Sequence, residues 1–209
     1  MLLSTLDWAL IETWKEAGVP LEAVLRGIDS AFDAYHRSPR KTRKVNSLAF
    51  CSQEVLAVAE EMKEAAVGSK RSASERDSGL TAGDVSAYLV KNAALLRIAK
   101  LEGLPEQVVR EAADSLLAVA DDLKQSANKR LHLEDLERRL TVLEERIQAA
   151  LMSSTSEQEL VAVRAEADRQ IGSYRSKMNA AQIDQLQKQF LHKRLLERYS
   201  LPRLSLFYM

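Results

Sequence analysis

The stretch LEDLERRLTVLEERIQAA, residues 133–150, decides the fold class. Its apolar residues Leu133, Leu136, Leu140, Leu143, Ile147 and Ala150 step by 3, 4, 3, 4 and 3 positions. That spacing stacks side chains on one side of a helix, whereas a strand would scatter them over two faces. Alternating threes and fours are the apolar seam of a coiled coil or of a long bundle helix. Residues 152–156 then read MSSTS, a polar break, and Leu160, Val163, Ala167, Ile171, Tyr174 and Met178 carry a second seam. Two seams about a short polar break predict an antiparallel helical hairpin over residues 129–178. One arm, such as 129–151, spans roughly 35 Å at the rise of an α-helix.

Towards the N-terminus the same periodicity continues. Thr81 and Asp84 are spaced as a helix-capping pair, and Val85, Tyr88, Leu89, Leu95, Leu96 and Ala99 form the stripe behind them. Gly103 is expected to close that helix and Pro105 to open the next, with Val108, Val109, Ala112, Leu116, Leu117 and Ala120 inside. Before it, residues 68–79 read GSKRSASERDSG, with no apolar residue larger than Ala, and are expected to be a flexible linker or long loop. Residues 1–67 hold three further helical stripes. Ser4 and Asp7 cap the first, Gly18 ends it, and Pro20 starts the second; the third is expected at about 46–66. The expected organisation is therefore all-α: an N-terminal three-helix module at 1–67, a linker at 68–80, and a helical bundle at 81–209 that includes the hairpin.

The corner Lys15-x-x-Gly18-Val19-Pro20-x-x-x-Val24 recurs as Lys100-x-x-Gly103-Leu104-Pro105-x-x-x-Val109, an offset of 85. Asp29-Ser30 and Asp114-Ser115 share that offset. Two explanations stand: an internal duplication, or shared chemistry of tight helix corners. At the other end, Asn179 and Gln182 cap a helix expected at 180–199, and Pro202 stops it. The subsequent Leu204, Leu206, Phe207, Tyr208 and Met209 are too apolar to stay in water, so this tail is expected to dock. Its two options are the chain's own core, or a partner as a short strand or plug.

Composition agrees with helix: 7 Gly, 4 Pro and 5% aromatics in 209 residues, with 46% hydrophobic residues to build a core. Thirty basic residues balance thirty acidic ones, so no global field draws the chain to nucleic acid or membrane. Cys51 is the single cysteine, which excludes an internal disulfide and fits a reducing, cytoplasmic setting of bacterial type. Neither a signal peptide nor an apolar run long enough to span a bilayer is read.

The three histidines and Cys51 lack zinc spacing. No phosphate-binding glycine loop and no nucleophile elbow are present. The expectation is a protein without catalytic, metal or cofactor site. Two basic segments remain as candidates for phosphate contact. The first is Arg37, Arg40, Lys41, Arg43 and Lys44, on a short connector. The second is Lys193, Arg194, Arg198 and Arg203, interleaved with aromatic residues. For each, a solvated face balancing acidic helices is the competing explanation. Partner-binding candidates are Leu136, Leu140, Leu143 and Ile147 of the seam, and Leu206 and Phe207 of the tail.

Leu3-Ser4, Ile11, Trp14, Val24-Leu25, Ile28, Ala31-Phe32 and the run from Arg43 through Lys44-Val45-Asn46-Ser47-Leu48-Ala49 to Phe50 give the first 60 residues a further likeness. They resemble the C-terminal helical module of DnaD-type primosomal proteins, which implies a DNA-associated, replication-accessory role. The remaining residues look similar to bacterial proteins without an assigned activity. The leading expectation is a non-enzymatic nucleic-acid-associated interaction protein, with DNA contacted by the basic connector and a protein partner recruited by the hairpin. The alternative is a scaffold that self-associates through the heptad seams without nucleic acid.

Overall fold

The computed structural model describes residues 3–37, 45, 47–66, 81–125 and 132–209. Every regular element among them is helical, as the periodicity predicts. The α-helices are α1 Thr5–Glu16, α2 Leu21–Arg37, α3 Ser52–Ala66, α4 Ala82–Ile98, α5 Leu104–Gln125, α6 Leu133–Ser154, α7 Glu157–Ile171 and α8 Ala180–Arg198. Short 3-10 turns lie at Leu48–Phe50, Arg175–Lys177 and Leu206–Tyr208. The expected linker at 68–80 lies outside the described residues.

The chain forms two compact units. Unit 1 comprises Met1–Ser74 and Gln158–Lys193, and unit 2 comprises Glu75–Glu157 and Arg194–Met209. This division differs from the expected 1–67 and 81–209, because residues 158–193 belong with the N-terminal helices. The core of unit 1 shows why. Ala167 and Ile171 of α7 and Leu186 and Phe190 of α8 join one buried cluster with Leu6, Leu10 and Trp14 of α1. Full burial of each large side chain contributes about 1.5–3 kcal/mol, so α7 is held by what its seam covers rather than by its neighbour in sequence. The α6 seam is spent in unit 2, where α6 packs on α5 and α5 on α4.

Local chemistry sets the helix ends. Ser4 and Asp7 form the expected reciprocal box at α1, and Thr81 and Asp84 do so at α4. Asn179 and Gln182 exchange backbone-to-side-chain hydrogen bonds of 2.9 Å at the start of α8. The third helix begins later than expected, at Ser52, and Asp7 is the reason. Its Oδ1 accepts the Ser47 hydroxyl at 2.8 Å and the Leu48 N–H at 2.7 Å. Ser47 is thereby held in an extended conformation, and a 3-10 turn precedes α3. Burial pushes the Asp7 carboxyl up, but the hydrogen bonds from Ser4, Ser47 and Leu48 outweigh it and hold it below the usual aspartate value. Beside this turn, Cys51 is fully buried, and burial together with the nearby Glu54 charge pushes its thiol up to about 11.

Gly27 lets α2 and α3 touch: a Cβ there would lie 2.4 Å from Val55 Cα. The two similar corners prove unlike. Gly18, at φ +68°, ends α1, with its own N–H donating to Lys15 O and the Val19 N–H to Trp14 O. Gly103, at φ +66°, does not close α4, which stops at Ile98. Its carbonyl instead accepts the first hydrogen bond of α5, from Gln107 N–H. Pro20 likewise sits just before α2, whereas Pro105 lies inside the first turn of α5. The same letters occupy different cap positions, which favours shared turn chemistry over duplication.

Candidate functional site

The most elaborate polar arrangement in the described chain holds the segment that leaves the end of α8. Residues Leu201 and Leu204 are buried, at 7% and 1% exposure, so the apolar tail docks on its own chain. Two glutamates of α6, seven residues apart, hold it. Seven residues are two helical turns, which puts Glu137 and Glu144 on one face. Glu144 Oε2 accepts the Leu204 N–H at 2.6 Å. Its Oε1 lies 2.8 Å from Arg203 Nε, as a charge contact rather than an aligned hydrogen bond. Glu137 Oε1 accepts the Ser205 hydroxyl at 2.5 Å, and its Oε2 accepts the Leu206 N–H at 2.8 Å. Each carboxylate thus takes one main-chain N–H and one side-chain donor from successive residue pairs. The segment runs antiparallel to α6.

Tyr88 of α4 closes the other side. Its hydroxyl donates towards Ser205 O at 2.7 Å and Arg203 O at 3.0 Å. Burial raises its pKa, and the Glu144 and Glu137 charges add to this against hydrogen bonds that lower it. The phenol therefore stays a donor, matched to carbonyl oxygens. The Arg203 guanidinium lies 5.4 Å from the Tyr208 ring centroid. Ser205 caps the last 3-10 turn by accepting the Phe207 N–H at 3.2 Å. All four carboxylate oxygens face donors of the tail, an arrangement that binds extended main chain.

The segment is entered through Ser200, at φ +53°, a left-handed conformation that costs a non-glycine residue about 1–2 kcal/mol. Ser200 N–H donates to Glu197 O at 3.1 Å and Leu201 N–H to Leu196 O at 2.9 Å. This is the Schellman closure of a helix, with Ser in the place usually taken by Gly.

Of the basic candidates, Arg37 ends α2 and is exposed, its Nε donating to Asp33 O at 3.2 Å. Arg40, Lys41, Arg43 and Lys44 lie outside the described residues. Lys193, in unit 1, stands 5.1 Å over the Trp8 ring. In unit 2, Arg194 pairs with Glu197 at 3.4 Å, Arg198 lies over Tyr199, and Arg203 is engaged by Glu144. Of the apolar candidates, Leu136, Leu140 and Ile147 are buried, Leu143 and Leu206 are half-buried, and Phe207 is 61% exposed. Among the described residues no group of three or more His, Cys, Asp or Glu is placed to hold a metal ion. None of the described helices is long and apolar enough to cross a membrane.

Glu137, Glu144 and Tyr88 were not among the sequence candidates. Their trace is the heptad spacing of two acids flanking an apolar seam, against a tail able to donate main-chain hydrogen bonds.

Fold and site together define an all-helical chain that clamps an extended segment between paired carboxylates and a phenol. No protein-family model, curated protein or solved structure matches it.

Proposed function

We propose that the chain is a non-catalytic, cytoplasmic interaction protein whose working element is the Tyr88–Glu137–Glu144 clamp, a receptor for an extended peptide segment. One observation carries this reading: both glutamates spend both oxygens on successive donors of residues 203–206. Charge-assisted hydrogen bonds of this kind contribute about 1.5–3 kcal/mol each, enough to choose a peptide by its main chain and one Arg–Leu–Ser pattern.

The test keeps the full chain. Leu204→Glu puts a carboxylate against Glu144 and expels the native tail. A fluorescent peptide with the sequence of residues 200–209 is then titrated in. Saturable binding that Glu137→Ala and Glu144→Ala remove is the expected outcome. A folded Leu204→Glu chain that ignores the peptide rules the reading out.

A second reading, DNA association in replication, draws on the five basic residues within 37–44 and on the DnaD-type resemblance. On that reading affinity falls steeply with salt, and replacing Arg40, Lys41, Arg43 and Lys44 by Ser abolishes it. Unchanged binding after that replacement removes the second reading.

A further inference from the structure

We infer that the corner between α4 and α5, Ile98 to Leu104, is a surface on which two copies of this chain associate. The inference is independent of the clamp. Three observations carry it.

First, the corner holds apolar side chains out beside a hollow. Ile98 is 74% exposed, more than any other large apolar side chain described, and Leu104 is 56% exposed. Between the end of α4 and the start of α5 lies a hollow of about 60 Å³, lined by the apolar Leu96, Leu101 and Val109. An apolar projection and a hollow on one patch suit a two-fold contact, because each copy offers what the other receives.

Second, the hollow calls for apolar atoms rather than charge. Its arginines are already neutralised within the chain, Arg97 by Asp114 and Arg110 by Glu106, each at 2.6 Å. A phosphate or carboxylate would have to displace a counter-ion, whereas an aliphatic side chain would not.

Third, the order of residues about Leu101 is complementary to itself. Ile98 and Lys100 precede it, and Glu102 and Leu104 follow at the same distances. A two-fold axis beside Leu101 sets the two corners antiparallel. Ile98 then meets the partner's Leu104, and Lys100 meets the partner's Glu102, each contact being made twice. Lys100 and Glu102 are exposed and have no ion-pair partner among the described residues, so both are available. A partner of one sign would meet a like charge at this corner, whereas a copy of the chain meets opposite charges at both contacts.

The corner is small beside the roughly 1,200–2,000 Å² that a stable complex buries, so association is expected to be weak and concentration-dependent. Charge reversal in two full-length variants decides, with the dimer fraction read by sedimentation equilibrium. Lys100→Glu alone and Glu102→Lys alone each set like charges against each other at both contacts. Each is expected to weaken dimerisation about tenfold. An equimolar mixture of the two restores opposite charges at both contacts and is expected to regain wild-type association as a mixed dimer. Ile98→Glu is expected to abolish association and, because this side chain is exposed, to keep the helical circular dichroism of the wild type. A wild type that stays monomeric up to its highest soluble concentration leaves the corner to a different chain and overturns the inference. So does a dimer that Ile98→Glu leaves intact, or a mixture of the two charge variants that associates no better than either alone.

Discussion

Unit 1 and unit 2 each tie an irregular segment to a helix through carboxylates, and each closes a helix with a Schellman turn, but they choose different residues for the task. In unit 1 the carboxylate is Asp7, which also caps α1, and the turn residue is Gly18. In unit 2 the carboxylates sit inside α6, at Glu137 and Glu144, without capping it, and the turn residue is Ser200. Gly18 adopts its left-handed conformation without strain, whereas the same conformation costs Ser200 about 1–2 kcal/mol. The first corner is therefore self-supporting. The second carries its strain directly before the clamped residues 203–206, and its two helix-closing hydrogen bonds must offset it.

Glu144 is the residue whose loss should set the two units furthest apart. Replacing it by Ala leaves the Arg203 guanidinium, 14% exposed, and the Leu204 N–H without their acceptor. About 3–5 kcal/mol should be lost in urea unfolding, and limited proteolysis should cut near residue 200. A loss below about 1 kcal/mol contradicts a clamp that holds the tail.

Asp7→Ala should cost somewhat less, about 2–3 kcal/mol, because the orphaned donors at Ser4, Ser47 and Leu48 are only partly buried and water can reach them. Its pH dependence has a definite sign. The folded state holds the Asp7 carboxyl below its ordinary value, so folding favours the ionised form. That contribution is complete above the unfolded aspartate value of about 3.9 and fades as pH falls through the folded one. Acid titration of wild type should thus show a loss of stability below about pH 4 that Asp7→Asn lacks.

The two turns themselves give the smallest effects, with opposite signs. No atom lies within 4 Å of a Cβ added at Gly18, so Gly18→Ala costs only the backbone strain, about 1 kcal/mol. Ser200→Gly should stabilise the tail-docked fold by a similar amount. Equal signs in thermal unfolding would show that Ser200 is not strained.

Much of this was legible in the residues. Stripes at helical period gave the fold class, and the pairs Ser4–Asp7, Thr81–Asp84 and Asn179–Gln182 marked helix starts because a cap is a local hydrogen-bond problem. The greasy residues after Pro202 announced docking. What escaped the sequence is long-range. Asp7 reads as a cap, and its second duty towards Ser47 and Leu48 lies forty residues away. Glu137 and Glu144 read like any acids beside a seam, because periodicity reports the polarity of a face and not what covers it. The use of Gly27, backbone contact with Val55, needs the neighbouring helix to be in place. The division at residue 158 escaped for the same reason: the α7 stripe shows that something is buried but does not name the surface that buries it. The repeated Gly-x-Pro corners left duplication and shared turn chemistry both open; only the expected role of Gly103 changed, since it starts α5 instead of closing α4.

Cys51 has a practical consequence. The chain carries a single thiol, it is inaccessible at 0% exposure, and raising its pKa to about 11 keeps it in the unreactive protonated form at neutral pH. Alkylation must wait for the surrounding helices to separate, so the labelling rate is a built-in clock for unit 1. Unit 2 has no such group, so the label reports on unit 1 alone.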